Sequence, residues 1–491
     1  MDLVFATASQ LAQMIRNKEV SASEVLEAYL EQINKHNGKV NAIATLDADR
    51  AKKVAFEADE ALARGENWGR LHGVPISVKD IIETAGLLTT AGYPPLKDYV
   101  PSQDATSVAR LRAAGAIIFA KTNSAQLGED CQTNNLIFGQ TNNPWDLNRT
   151  VGGSSGGSAS AIAAGFSPLD LGSDVAGSIR GPAHFCGVYG LMPTDRRVPT
   201  KGHIPPLPGN PQYIRHVLRI GPLARSVEDL QLSLTLIAGA DDRQPEIPPV
   251  PLDYSAGKKL TDCRIAWTIG FDFLPVSKET RSCIQSLINR LSDAGCHLEE
   301  CNPTNFDWEE ALANYGAWSF LELFASTPSV QVLFRGIWIA IKEEFLARTQ
   351  TTFKSGTPLA AKSSLILPPT LAKYNAILTE RDHQMAQMES FLAQWDAWIC
   401  PVSMTPAFPH CKFGQPIKVD GVKVPYLLAG GYTMPLSLTG NPVVVIPIGQ
   451  SKEGLPIGVQ VVGNRWKDME LLAIAQQINQ ATSGFQKPPG Y

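Results

Sequence analysis

Two stretches, Gly152-Gly153-Ser154-Ser155-Gly156-Gly157-Ser158 and Gly172-Ser173-Asp174-Val175-Ala176-Gly177-Ser178-Ile179-Arg180, decide how the rest of the sequence is read. By composition the first is a flexible linker. It runs straight into alanine-rich, helix-forming sequence from Ala159 to Gly165, however, and the second turn follows at a spacing that can return the chain to the same place. Two small-residue turns around a helix leave the backbone free to adopt unusual conformations.

Three known site patterns do not account for them. A phosphate-binding loop needs Lys and then Ser or Thr after its last glycine, and Gly157-Ser158-Ala159 stands there instead. Gly153-Ser154-Ser155-Gly156-Gly157 fits the G-x-S-x-G of a nucleophile elbow, but Asn143 to Arg149 before it does not read as the strand an elbow requires. Ser255 and Lys258 match S-x-x-K with no K-T-G to follow, a chance match in so long a chain. The histidines stand alone, outside any metal-ligand spacing, and His410-Cys411 reads as packing. No metal and no cofactor is expected.

Around this centre the chain alternates helical and strand patterns. Ser21 and Glu24 form a capping box ahead of Val25, Leu26, Tyr29, Leu30 and Ile33, one apolar helix face. Strands are expected at Ala42 to Leu46, Val74 to Val78, Ala116 to Ala120, Arg264 to Thr268, Val443 to Ile448 and Ile457 to Val462, and a Ser226-capped helix ending at Gly239. Prolines 245, 248, 249 and 251 mark a boundary, giving a first core part at 1–240, a mostly helical, aromatic-rich middle segment at 241–395 and a C-terminal core part at 396–491.

The 491 residues are 44% hydrophobic and 18% charged, which excludes disorder, collagen and coiled coil. A net charge of -4 without runs of one sign indicates neither a nucleic-acid nor a membrane surface. The most apolar stretch, Gly336 to Ile341, is too short to span a bilayer. Eight scattered cysteines without C-x-x-C read as reduced thiols in a cytoplasmic protein.

Further matches accompany the two turns: Gly73-Val74-Pro75-Ile76-Ser77-Val78-Lys79-Asp80, Lys121-Thr122-Asn123, Gly187-Val188-Tyr189-Gly190-Leu191, Gly221-Pro222-Leu223-Ala224-Arg225-Ser226 and Gly440-Asn441-Pro442. With these the chain resembles the amidase signature family over most of its length, least from about 240 to 400. The resemblance implies an α/β fold, a mixed central sheet flanked by helices on both faces, with the middle segment capping the substrate pocket. It implies a Ser-cisSer-Lys triad with Ser178 as nucleophile, Ser154 as the bridging serine and Lys79 as base. Backbone N–H groups of Val175, Ala176, Gly177 and Ser178 would form the oxyanion hole, supported by Asp174, Arg180 and Ser155. Gly128, Glu129 and Gly430 would touch substrate.

A serine hydroxyl must lose its proton as it attacks, and lysine can take that proton only where burial disfavours its ammonium. Val74, Ile76, Val78, Ile81 and Ile82 offer Lys79 an apolar wall. The sequence departs from the family's usual pattern at Ser173 (usually Thr), Ala176 (Gly) and Met192 (Lys). The glutaminase subunit of the tRNA-dependent amidotransferase, the runner-up reading, carries Asp at the position of Gly430. The expectation is therefore a free-standing serine amidase acting on a small-molecule amide, with a homodimer as the assembly considered and no nucleic-acid or membrane partner. A catalytically silent binding module is the third reading. Trp308, Trp318, Phe320, Phe324 and Trp338 are expected to pack in the core rather than line the pocket.

Overall fold

Apolar runs without polar alternation belong to strands covered on both faces, and the described residues supply eleven strands to one large sheet. The computed structural model describes all residues except 1, 211, 213, 253–257, 272 and 327–369, and no side chains at 323–326. Ser255, Trp338, the stretch 336–341 and the side chain of Phe324 thus lie outside the described residues.

The sheet comprises β1 (Ile43–Leu46), β2 (Pro75–Lys79), β3 (Ile117–Thr122), β4 (Leu169–Asp174), β5 (Tyr189–Met192), β6 (Arg219–Ala224), β7 (Arg264–Trp267), β8 (His297–Glu300), β9 (Ala397–Pro401), β10 (Val443–Gln450) and β11 (Pro456–Val462). Their spatial order is β1-β3-β2-β4-β6-β5-β10-β11-β9-β7-β8. The sheet is mixed: β2 runs parallel to β3 and β4, and β7 parallel to β8 and β9, while the other pairs are antiparallel. Helices flank it. In the first of the long ones, Ala22–Val40, both capping-box bonds of Ser21 and Glu24 are present and Val25, Leu26, Tyr29 and Ile33 are buried. Helix Val227–Ile237 begins at Ser226 and gives way to Gly239 at φ +103°, as expected of its termini. The described parts of the middle segment include helices Trp308–Ser326 and Leu371–Leu392.

Two local expectations are corrected. Asp146–Thr150 is a strand after all, paired with Asn142–Asn143 outside the main sheet. Its hairpin is fastened by polar side chains: Asn143 Nδ2 donates to Thr150 O, and Asn143 Oδ1 accepts from Trp145 N–H. Apolar periodicity therefore misses it. Gly172 and Ser173, expected in a turn, lie within β4; the turn begins after Asp174.

The topology sets β2 beside β4 in the body of the sheet. Lys79 ends β2, Asp174 ends β4, and the turn after Asp174 leads into helix Arg180–Cys186. The Gly/Ser stretch opens helix Gly156–Ala163, which is buried throughout. At Gly157 a Cβ would stand 2.3 Å from Asn123 O, so the glycine is there for close packing, which disposes of the linker reading.

Candidate active site

The C-terminal ends of β2 and β4 deliver Lys79, Ser173 and Asp174 to one place, and the two turns lay Ser154 and Ser178 beside them. Lys79 is fully buried, and its Nζ donates to Ser154 Oγ at 2.7 Å and to Ser173 Oγ at 3.1 Å. Burial pushes the Lys79 amine down to about 7, against the opposing pull of Asp174 and Asp170. The wall expected from its own strand is only partly there. Side chains alternate along β2, so Ile76 and Val78 fall on the face opposite Lys79 and Val74 precedes the strand, whereas Ile81 does line the cavity beside it.

Ser154 follows a cis peptide bond, Gly153–Ser154. Ser178 is 8% exposed, its carbonyl accepts from Ser155 N–H at 3.1 Å, and both Ser154 and Ser178 line the same cavity. Ser155 Oγ is turned away, donating to Ser173 O at 3.1 Å, which leaves it no role as an elbow nucleophile.

The turn after β4 is held from within by Asp174. Its carboxylate accepts from Gly177 N–H at 2.7 Å and Ile179 N–H at 3.0 Å, and pairs bidentately with Arg180 at 2.9 and 3.0 Å. Burial would raise the Asp174 pKa, but Arg180 and these N–H donors hold it at about 2. Gly177 N–H is thereby committed and does not point at a substrate oxygen, whereas the N–H groups of Val175, Ala176 and Ser178 have no hydrogen-bond partner among the described residues. Gly177 has φ +116° and a Cβ there would stand 2.3 Å from Thr433 Oγ1, so no other residue fits. Arg180 reaches further, to Thr433 O, Gln460 Oε1 and Ser437 Oγ.

The cavity above this turn has a volume of about 800 Å³ and is mostly apolar. Gly128, Glu129 and Gly430 line it, and so do Trp318, Phe320 and Tyr315. Trp318 and Phe320 are thus placed against the expectation that they serve the core alone, while Trp308 conforms to it, stacked 3.9 Å from Phe271. Sequence reading gave no role to His203, Thr433, Ser437 or Gln460, all of which reach this centre from later parts of the chain; Thr433 and Gln460 stand in stretches that match the family, and His203 and Ser437 in none.

Comparison with known proteins bears on the family and the fold. A family model described as Amidase matches residues 24–472. The chain is 31% identical to the A-type component of the glutamyl-tRNA(Gln) amidotransferase of Koribacter versatilis (strain Ellin345), covering 98% of this chain and 99% of that protein. Among solved structures it is similar to a 6-aminohexanoate cyclic dimer hydrolase, with TM-score 0.79, 25% identity and 99% of each chain covered. A bacterial aryl acylamidase shares the fold with TM-score 0.83 at 24% identity over 99% of both chains. The chain belongs to the amidase signature family, whose enzymes act on the carbon–nitrogen bond of amides.

Proposed function

We propose that this protein hydrolyses a carboxylic amide to acid and amine or ammonia through an acyl-enzyme on Ser178. The observation that carries the reading is the buried 2.7 Å contact between Lys79 Nζ and Ser154 Oγ at the edge of the cavity that also holds Ser178. Ser178 Oγ attacks the carbonyl carbon. Its proton passes to Ser154, which hands its own to neutral Lys79. The oxyanion that forms is met by the free N–H groups of Val175, Ala176 and Ser178. As the carbon–nitrogen bond breaks, the proton returns through Ser154 to the leaving nitrogen, and water then releases the acid by the same relay. Asp174, Arg180 and Ser155 hold the turn. The middle segment caps the pocket, a reading supported by Tyr315, Trp318 and Phe320 in the cavity wall. The eight free cysteines support a cytoplasmic setting.

The acyl group favoured by the cavity is neutral and apolar. Gly430 brings no carboxylate, and a side chain there would press on Met434 and Ala176 O. A second reading, the glutaminase subunit of a tRNA-dependent amidotransferase, draws more support from sequence kinship than the first, because curated relatives over nearly the whole length carry that name. On that reading the chain works with partner subunits rather than alone or as a homodimer. The test is to measure carboxylate and ammonia or amine from glutamine and from a panel of aliphatic and aryl amides. Turnover of a neutral amide by the isolated chain, with glutamine poor, supports the first reading. Efficient glutamine turnover, or activity that requires partner proteins, establishes the second.

A further inference from the structure

Ser173 stands between Lys79 and a buried histidine. His203, in the loop after β5, is 5% exposed; its Nδ1 lies 3.1 Å from Pro205 O and its Nε2 lies 3.0 Å from Ser173 Oγ. A carbonyl oxygen can only accept, so Nδ1 carries the proton of the neutral ring and Nε2 is left as an acceptor. Burial keeps the ring neutral, lowering its pKa to about 3 despite the bond to Pro205 O, and the nearby Lys79 adds to the fall. Ser173 therefore gives its proton to His203, and its oxygen lone pairs face Lys79 Nζ, 3.1 Å away.

This direction matters to the amine. Neutral lysine has two N–H groups and one lone pair. With one N–H committed to Ser173, the lone pair is free for the hydroxyl proton of Ser154. A Ser173 hydroxyl without an acceptor would instead rotate and donate to that lone pair, in competition with Ser154. We propose that His203 is a positioning residue which, by accepting the proton of Ser173, keeps the lone pair of Lys79 aimed at Ser154. The proposal rests on the reading of Lys79 as base. The other charged groups nearby are Asp170 and Asp174 on β4, Asp80 next along the chain and Lys121 on β3; none of them hydrogen-bonds to Lys79 or His203 among the described residues.

The test uses the rate at which an alkyl fluorophosphonate labels Ser178 in the full chain, from pH 5 to 10. His203→Leu keeps bulk and removes the acceptor. Its alkaline plateau should fall about tenfold or more, with the acid-side midpoint staying near 7. His203→Gln, whose amide oxygen can accept from Ser173, should recover a substantial part of the rate. Added to Ser173→Ala, His203→Leu should cost less than about twofold more, because its route is already cut. A wild-type plateau, a loss fully additive with Ser173→Ala, or a midpoint carried up toward the ordinary lysine value by a hydrated, loosened pocket would overturn the proposal. If His203→Leu does not fold, His203→Gln and Ser173→Ala decide: an active Gln variant with a Ser173→Ala loss of about tenfold or more supports it, and wild-type labelling by Ser173→Ala overturns it. Lys79→Ala, run alongside, separates the two levels. If it labels normally the base reading falls, whereas a dead Lys79→Ala with unaffected His203 and Ser173 variants sinks only the role of His203.

Discussion

Lys79 on β2 and Lys121 on β3 are neighbours in the sheet, both fully buried, and their surroundings make them different groups. Burial lowers both, Lys79 to about 7 and Lys121 to about 8. Lys121 Nζ donates to Ile82 O and, at 2.9 Å, to Thr84 Oγ1, and it is coupled to Asp80, whose carboxylate is held by Thr90 at 2.5 Å. A carbonyl and a carboxylate only accept, so they favour the ammonium. Lys79 touches hydroxyls alone, and a hydroxyl can donate or accept. Loss of the Lys79 proton thus leaves its hydrogen-bonded neighbours satisfied, whereas loss of the Lys121 proton, though two N–H groups still serve Ile82 O and Thr84 Oγ1, removes the charge that faces Asp80. Burial sets how far a lysine is pushed; the kind of acceptor around it decides whether it can serve as a base.

The sharpest way to break this contrast is to delete each amine. Lys79→Ala should cost about 10³-fold or more in kcat with the protein still folded, measured by steady-state hydrolysis beside circular dichroism. In the wild type kcat/KM should fall on the acid side with a midpoint near 7, because the ammonium has no lone pair to receive a proton. Lys121→Met should leave that limb in place and act on stability instead. Stranding Asp80 and two oxygen acceptors should lower unfolding free energy by about 3 kcal/mol, read by urea denaturation at pH 7; a collapse of activity in the folded variant would erase the distinction.

The smallest effect carries the opposite sign. Unfolded lysine keeps its proton to about 10.5, whereas folded Lys79 loses it above about 7, so between these values the unfolded state binds more protons and stability rises with pH. Lys79→Met removes that slope. At pH 7 it should be more stable than the wild type by about 1–3 kcal/mol after the loss of two hydrogen bonds. The gap should narrow toward pH 10, as thermal melts at several pH values would show.

How much of this the sequence discloses depends on where each residue finds its partners. β10 and β11 are apolar nearly throughout and read as strands unaided. The end of β4, Gly-Ser-Asp, reads as a turn, and the groups that satisfy the strand's carboxylates come from elsewhere: Ser77 and Thr122 donate to Asp170, and Arg180 pairs with Asp174. Ser154, Ser178 and Lys79 are legible only through the family resemblance, since local pattern leaves Lys79 a surface lysine at a strand end. His203 has no local signal at all; its meaning lies in Ser173, a distant residue, and in the orientation of one carbonyl. The pocket aromatics show the same limit, for helical spacing places Trp308 and Trp318 alike in apolar surroundings, and tertiary packing alone leaves Trp308 to the core and sets Trp318, buried as well, at the cavity wall.

Arg180 ties the turn that carries Ser178 to Thr433, Ser437 and Gln460, which follow it by more than 250 residues in the chain. A growing polypeptide on the ribosome has Lys79, Ser154 and Ser178 long before it has residues 433–460, yet until these emerge the guanidinium lacks three of its acceptors and the turn lacks its backing. On the proposed reading of Ser178, hydrolytic competence then waits on residues more than 250 positions further along the chain. A chain stalled before Thr433 should accordingly form no fluorophosphonate adduct, while one extended through the C-terminus should.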